Sequence, residues 1–129
     1  MNVKNKIDTL EQLKVNHQKI IKDSLGDRYN NNKPKWSLVS WKALEPMVRV
    51  LEFGAQKYAP FNWMKGLNYS ETCDSLLRHT HAFLEGEDTD PESKLEHTAH
   101  IMCNAMFLSY MFLFRKDLDD RHKQDNGNT

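Results

Sequence analysis

The stretch RHTHAFLEGEDTDPESKLEHTAHIMCN, Arg78 to Asn104, decides how this chain folds. Its middle holds the strongest breaker signals in the sequence, Gly86 followed by an acidic run and Asp90-Pro91. Glycine favours helix ends, and Asp before Pro is a natural N-cap followed by the first helical residue. One helix therefore ends before Gly86, and another is predicted from Pro91 to about Leu118. Two helices joined by so short a loop pack antiparallel.

Helical spacing continues on both sides. Cys73, Leu76, Leu77, Thr80 and Leu84 give the earlier helix an apolar stripe, with a start near Asn68 or Ser70. Leu95, Ala99, Met102, Ala105, Met106 and Phe112 give one to the later helix. Upstream, Leu44, Met47, Val48, Leu51, Ala55 and Tyr58 have the same spacing. Proline does not suit a helix interior, so a short turn at Trp41 to Leu44 and a helix from Pro46 to Tyr58 are expected. A first, more polar helix is predicted from Thr9 to Leu25, opened by Asp8 and Glu11 and stopped by Gly26. No alternating strand of useful length is visible. The expected class is all-α, a compact four-helix bundle completed by oligomerisation. Residues 1–30 form its peripheral helix, 31–118 its helical domain and 119–129 a polar, frayed tail.

The chain has 129 residues, and its 18 Lys plus Arg equal its 18 Asp plus Glu. A neutral balance argues against a broad grip on duplex nucleic acid. It leaves room for a small phosphorylated ligand. Cys73 and Cys103 sit in apolar helical patterns and read as reduced core residues. The most apolar run, Ala105 to Phe114, is about half of the ~20 residues that span a bilayer. A soluble, cytoplasmic protein is expected.

At ~100° per residue, Ser93, His97, His100 and Asn104 share one stripe of the later helix. Glu71, Asp74, Arg78 and Glu85 share one on the earlier helix, with His79 and Ser75 beside it. Two such stripes facing each other would form a groove of carboxylates, imidazoles, an amide and a guanidinium. These groups can hold a divalent cation and neutralise phosphate oxygens. Asp90 is explained by capping; Glu87 and Asp88 crowd like charge and ask for a cation or arginine. His81, His17 and His122 read as surface residues. A second group is basic and aromatic: Lys33, Lys35, Lys57 and Lys65 suit phosphates, Tyr58 and Trp63 can stack a base, and Asn62 can read its edge.

The segments KPKWSLV, LEFGAQKYAPFNWMKG, DSLLRH, GEDTDPES and HTAHIMCNA occur in an order that resembles the phage dATP/dGTP diphosphohydrolase N-terminal domain family. The resemblance covers about residues 32–114, and that family is akin to the all-α, MazG-like NTP pyrophosphohydrolases. It implies hydrolysis of dATP or dGTP to monophosphate and pyrophosphate, with Mg²⁺ or Mn²⁺, in an oligomeric helical protein of the host cytoplasm. The matching positions are Lys33, Lys57, Tyr58, Asn62, Trp63, Lys65, Asp74, Arg78, His79, Glu87, Asp88, Asp90, Glu92, Ser93, His97, His100 and Asn104. On this reading Asp74, Glu87 or Asp88 hold the ion. Asp74, His79, His97, His100 and Asn104 perform catalysis. Lys33, Lys35, Lys57, Tyr58, Asn62, Trp63, Lys65 and Arg78 bind a purine nucleotide. MazG-like proteins carry an E-x-x-E pair where the helix after Pro46 has Glu52 alone. A protein that binds and sequesters a nucleotide or nucleotide-derived defence signal without cleaving it is the competing expectation.

Overall fold

A computed structural model describes residues 2–123. It contains four α-helices: α1 (Val3–Ser24), α2 (Trp41–Lys57), α3 (Tyr69–Leu84) and α4 (His97–Phe114). No strand occurs among the described residues; Thr89 and Glu96 form one isolated antiparallel bridge. The all-α expectation holds. No helix among these residues is long and apolar enough to cross a membrane.

The chain divides into two compact units between Trp36 and Ser37. The first contains α1, which begins earlier than predicted because the Asn2 side chain accepts from the Lys4 amide. The second contains α2, α3 and α4, and α4 packs against both of the others. Apolar residues surround α4 on all sides, as a central helix requires. Val50, Ala99 and Cys103 form the core between α2 and α4, with Met47, Leu51, Leu95 and Phe107 packed around them. Burial pushes the Cys103 thiol up to about 12, so it is an inert packing group.

Two further helix starts move, and the last helix ends at Phe114 instead of near Leu118. The helix expected from Pro46 starts at Trp41, where the Ser40 hydroxyl accepts from the Ala43 amide, 3.2 Å. Pro46 is the sixth helical residue. The bond its ring removes would have gone to the carbonyl of Lys42, an exposed residue near the helix end, where water can replace it. The helix expected from Pro91 starts at His97. Asp90 does cap a turn, accepting from the Ser93 amide at 2.8 Å, but only that one turn. Lys94 then adopts φ 62°, a left-handed conformation that reverses the chain. The Asp90 amide donates to the Leu95 carbonyl, and the His97 amide donates to the Asp88 carbonyl, which opens α4.

Residues around α3 are tied down at a distance. Asp120, in the expected tail, accepts from both the Ser70 amide (2.9 Å) and its hydroxyl (2.5 Å), capping α3. Residues 124–129 of that tail lie outside the described residues. Between α2 and α3 the chain makes a 3₁₀ turn, Asn62–Lys65, ending at Gly66 with φ 122°. A Cβ at Gly66 would lie 2.8 Å from Leu118 Cδ1 and 3.1 Å from Arg115 Nη1. Arg115 also donates to the Lys65 carbonyl, which holds this turn against the end of α4. Gly66→Ala is expected to destabilise the protein by about 1–3 kcal/mol through backbone strain, read as a lower urea midpoint with an unchanged slope.

Candidate active site

Three imidazoles converge where α3 meets the start of α4. His79 extends from α3, and His97 and His100 from the first turn of α4. His79 Nδ1 lies 2.8 Å from His97 Nδ1. The His79 and His100 rings stack with centroids 4.3 Å apart and planes 3° apart. His97 is 3 % exposed, and its Nε2 lies 2.7 Å from a Glu87 carboxylate oxygen. A carboxylate only accepts, so Nε2 donates to Glu87 and Nδ1 is the ring nitrogen turned toward His79. His100 Nε2 lies 2.7 Å from the Ser93 hydroxyl. Asn104, one turn further along, donates to Ser75 Oγ and to the His100 carbonyl.

Asp90 completes the cluster. One ligand atom each from His79, Asp90 and His97 lies within 4.8 Å of the others, a group that could hold a metal ion. Two neutral imidazoles and a carboxylate form an ordinary donor set for a divalent cation. Burial opposes ionisation of Asp90, but the Ser93 hydrogen bonds and the neighbouring histidines outweigh it and hold its carboxyl below the usual range.

His79, Asp90 and His100 line a cavity of about 620 Å³ between α2, α4 and the turn that follows α2. Its far walls are apolar, built by Phe53, Tyr58, Phe61, Trp63 and Phe107, with Asn62 among them. Phe61 holds φ 59°, an uncommon conformation for a bulky side chain, at the cavity wall. Lys57 and Glu92 pair at 2.6 Å on the rim, and this bond, first of all, raises the lysine's pKa.

The family model described as dATP/dGTP diphosphohydrolase, N-terminal, matches residues 23–121, a span that includes every residue of this cavity. The chain belongs to the dATP/dGTP diphosphohydrolase N-terminal family. It is also 33% identical over 96 residues to a dATP/dGTP diphosphohydrolase of Salmonella phage PMBT28. That alignment covers 74% of this chain and 33% of the relative, so the chain spans about a third of the relative's length. No solved structure matches it.

Within this family member, the structure brings together His79, His97, His100 and Asn104. Lys57, Tyr58, Asn62 and Trp63 join them as cavity residues. Trp63 has two aromatic neighbours already: its ring stacks on Phe107 at 5.0 Å and meets Tyr110 edge-on at 4.9 Å. Asp74 and Arg78 line a separate surface depression with Leu77 and His81. Glu87 reaches the cluster through His97. Asp88 contributes its backbone carbonyl, and its side chain is not among the three grouped ligands. Lys65 is exposed on the turn, and Lys33 and Lys35 are exposed residues of the first unit. Asp90 and Glu92 are the site residues that spacing missed. The order His79, Asp90, His97 across a single loop was the available signal.

Burial lowers the pKa of His79 and of His100; the His79 ring is pushed down further by its stacked neighbour. Both folded values therefore lie below the ordinary 6.5. On acidification the unfolded chain takes up these protons first, so the stabilisation present above 6.5 is lost as pH falls toward the folded values. The urea midpoint should fall between about pH 7.5 and about pH 5.5, and His100→Gln should flatten that slope.

Proposed function

We propose that this chain is a metal-dependent nucleotide pyrophosphohydrolase that cleaves dATP or dGTP to the monophosphate and pyrophosphate. The observation that carries this reading is the His79, Asp90 and His97 group beside a largely apolar cavity that Lys57 also lines. Family membership supports it, as does the similarity to a phage dATP/dGTP diphosphohydrolase. His79, Asp90 and His97 would hold a divalent cation, with Mg²⁺ or Mn²⁺ the expected ions. Bound there, a cation supplies charge neutralisation at the phosphates and lowers the pKa of water. The ring of His100 receives the proton of the attacking water; Ser93 holds that ring, and Asn104 donates to the His100 backbone carbonyl. Lys57 exchanges Glu92 for a phosphate oxygen, and Lys65, exposed on the turn after α2, serves the outer phosphates. The base lies among Tyr58, Phe61 and Trp63, with Asn62 at its edge. Positioning and neutralisation account for most of the rate in such transfers.

Incubation with the four dNTPs and Mg²⁺ or Mn²⁺, with pyrophosphate and monophosphate quantified, tests this. No turnover of any nucleotide overturns it.

A sequestering protein is the second reading. It is favoured by the single acid that α2 offers the cavity, Glu52. Calorimetric binding with the nucleotide recovered intact would establish it. We also propose that copies of the chain associate. Leu77, Phe83 and Leu84 on α3 and Phe112, Leu113 and Phe114 on α4 are exposed apolar groups of a kind that oligomers bury. Light scattering of a monomer at all concentrations would contradict this.

A further inference from the structure

We propose that the cation site selects first-row transition ions over Mg²⁺, and that Glu87 sets this selectivity by fixing His97 as a ligand through Nδ1. The inference rests on the metal reading above and narrows it.

The donors decide the preference. Mg²⁺ takes oxygen ligands, usually carboxylates, phosphates and retained waters. Imidazole nitrogen suits Zn²⁺, Fe²⁺, Co²⁺ and Ni²⁺. Here two of the three grouped ligands are imidazoles. Two further acids at the site are already engaged. Glu87 accepts from His97 Nε2 at 2.7 Å, and Glu92 accepts from Lys57 at 2.6 Å. Asp90 is left as the one carboxylate of the group, and one of its oxygens already accepts from the Ser93 amide. An oxygen-rich shell cannot be assembled from these side chains without breaking those bonds.

Glu87 does more than occupy an oxygen. A metal-bound histidine commonly donates its other ring N–H to a carboxylate, which fixes the tautomer and raises ligand basicity. Glu87 and His97 have that relationship. The spacing of the nitrogens also fits: two imidazole nitrogens at right angles, each ~2.1 Å from an ion, stand ~3.0 Å apart. His79 Nδ1 and His97 Nδ1 are 2.8 Å apart. Glu87 is thus a positioning residue, half exposed.

The test uses the full chain, stripped of metal by chelation and titrated with Co²⁺ alone, followed by its visible ligand-field absorption. The expected result is one Co²⁺ per chain, displaced by Zn²⁺ and retained in a large excess of Mg²⁺. Glu87→Ala should weaken Co²⁺ binding by about 10–100-fold, with Glu87→Gln, which keeps an acceptor, falling between. His97→Ala should abolish the spectrum while circular dichroism stays helical. Displacement of Co²⁺ by equimolar Mg²⁺ overturns the selectivity, and equal affinity in Glu87→Ala overturns the positioning role. Mg²⁺-supported pyrophosphate release without Co²⁺ binding would reject this inference and keep the proposed function. Selective Co²⁺ binding with no nucleotide turnover would do the reverse.

Discussion

Asp90→Asn is expected to slow pyrophosphate release from dATP and dGTP by about 1000-fold, because a cation's neutralisation is worth several kcal/mol. The substitution is nearly isosteric. Its side-chain oxygen can still accept from the Ser93 amide, as Asp90 does at 2.8 Å. The turn before α4 is further held by the Asp90 amide and carbonyl, which the substitution leaves unchanged. The loss is therefore one of charge and of a ligand, not of loop structure. Steady-state kinetics beside a thermal melt separates the two. An Asn variant with activity within about tenfold of the parent would place the cation elsewhere, on Asp74 or Asp88. A variant that is inactive and unfolded would show that the Asp90 charge holds the loop instead.

That prediction concerns a residue whose role local sequence logic hides. Asp90-Pro91 is so good a capping signal that capping accounts for it completely, and nothing in the spacing asks for more. The cap is real, but Lys94 turns the chain back after one turn, and this leaves the Asp90 carboxylate facing His79 and His97. The histidines were legible for a different reason. His97, His100 and Asn104 recur at helical spacing beside the apolar stripe, so they had to lie at the edge of a packed face.

The rotation of α3 was the part that periodicity could not supply. Leu77 and Leu84 belong to its sequence-predicted apolar stripe, yet both are exposed. Thr72 is buried instead, and Ser75 and His79 turn toward the cavity. Neighbouring helical positions differ by ~100°. A modest rotation therefore brings Ser75 and His79 inward and carries Asp74 and Arg78 to the surface depression. On α4 the phase is equally unspecified, because apolar residues occur on every side. Ala105 and Phe112 were expected inside and are exposed, whereas Cys103 and Met111 are buried. Composition and spacing establish that both helices exist. Which side of each faces the other depends on packing.

Met111→Ala carries the largest expected cost to stability. Met111 is 0 % exposed, the largest side chain so completely enclosed among the described residues. Its carbonyl accepts from the Tyr69 hydroxyl at 3.0 Å and from the Arg115 amide at 2.7 Å, so its backbone is fixed from two sides. Neighbouring groups cannot easily collapse into the space that truncation leaves. A Met→Ala change at such a site costs about 2–5 kcal/mol, against a total of about 5–15 kcal/mol for a typical domain. The melting temperature should drop by roughly 10 °C or more. Met111→Leu, which conserves volume, should cost less than about 1.5 kcal/mol, and Phe114→Ala, at an exposed position, little. Along α4, Met111 lies about 20 Å from His97 at ~1.5 Å per residue. Co²⁺ bound per folded molecule should therefore be unchanged in Met111→Ala below its melting transition. If metal binding falls with stability even there, the start of α4 and its buried centre form one cooperative unit, and the histidine cluster depends on the core for its geometry.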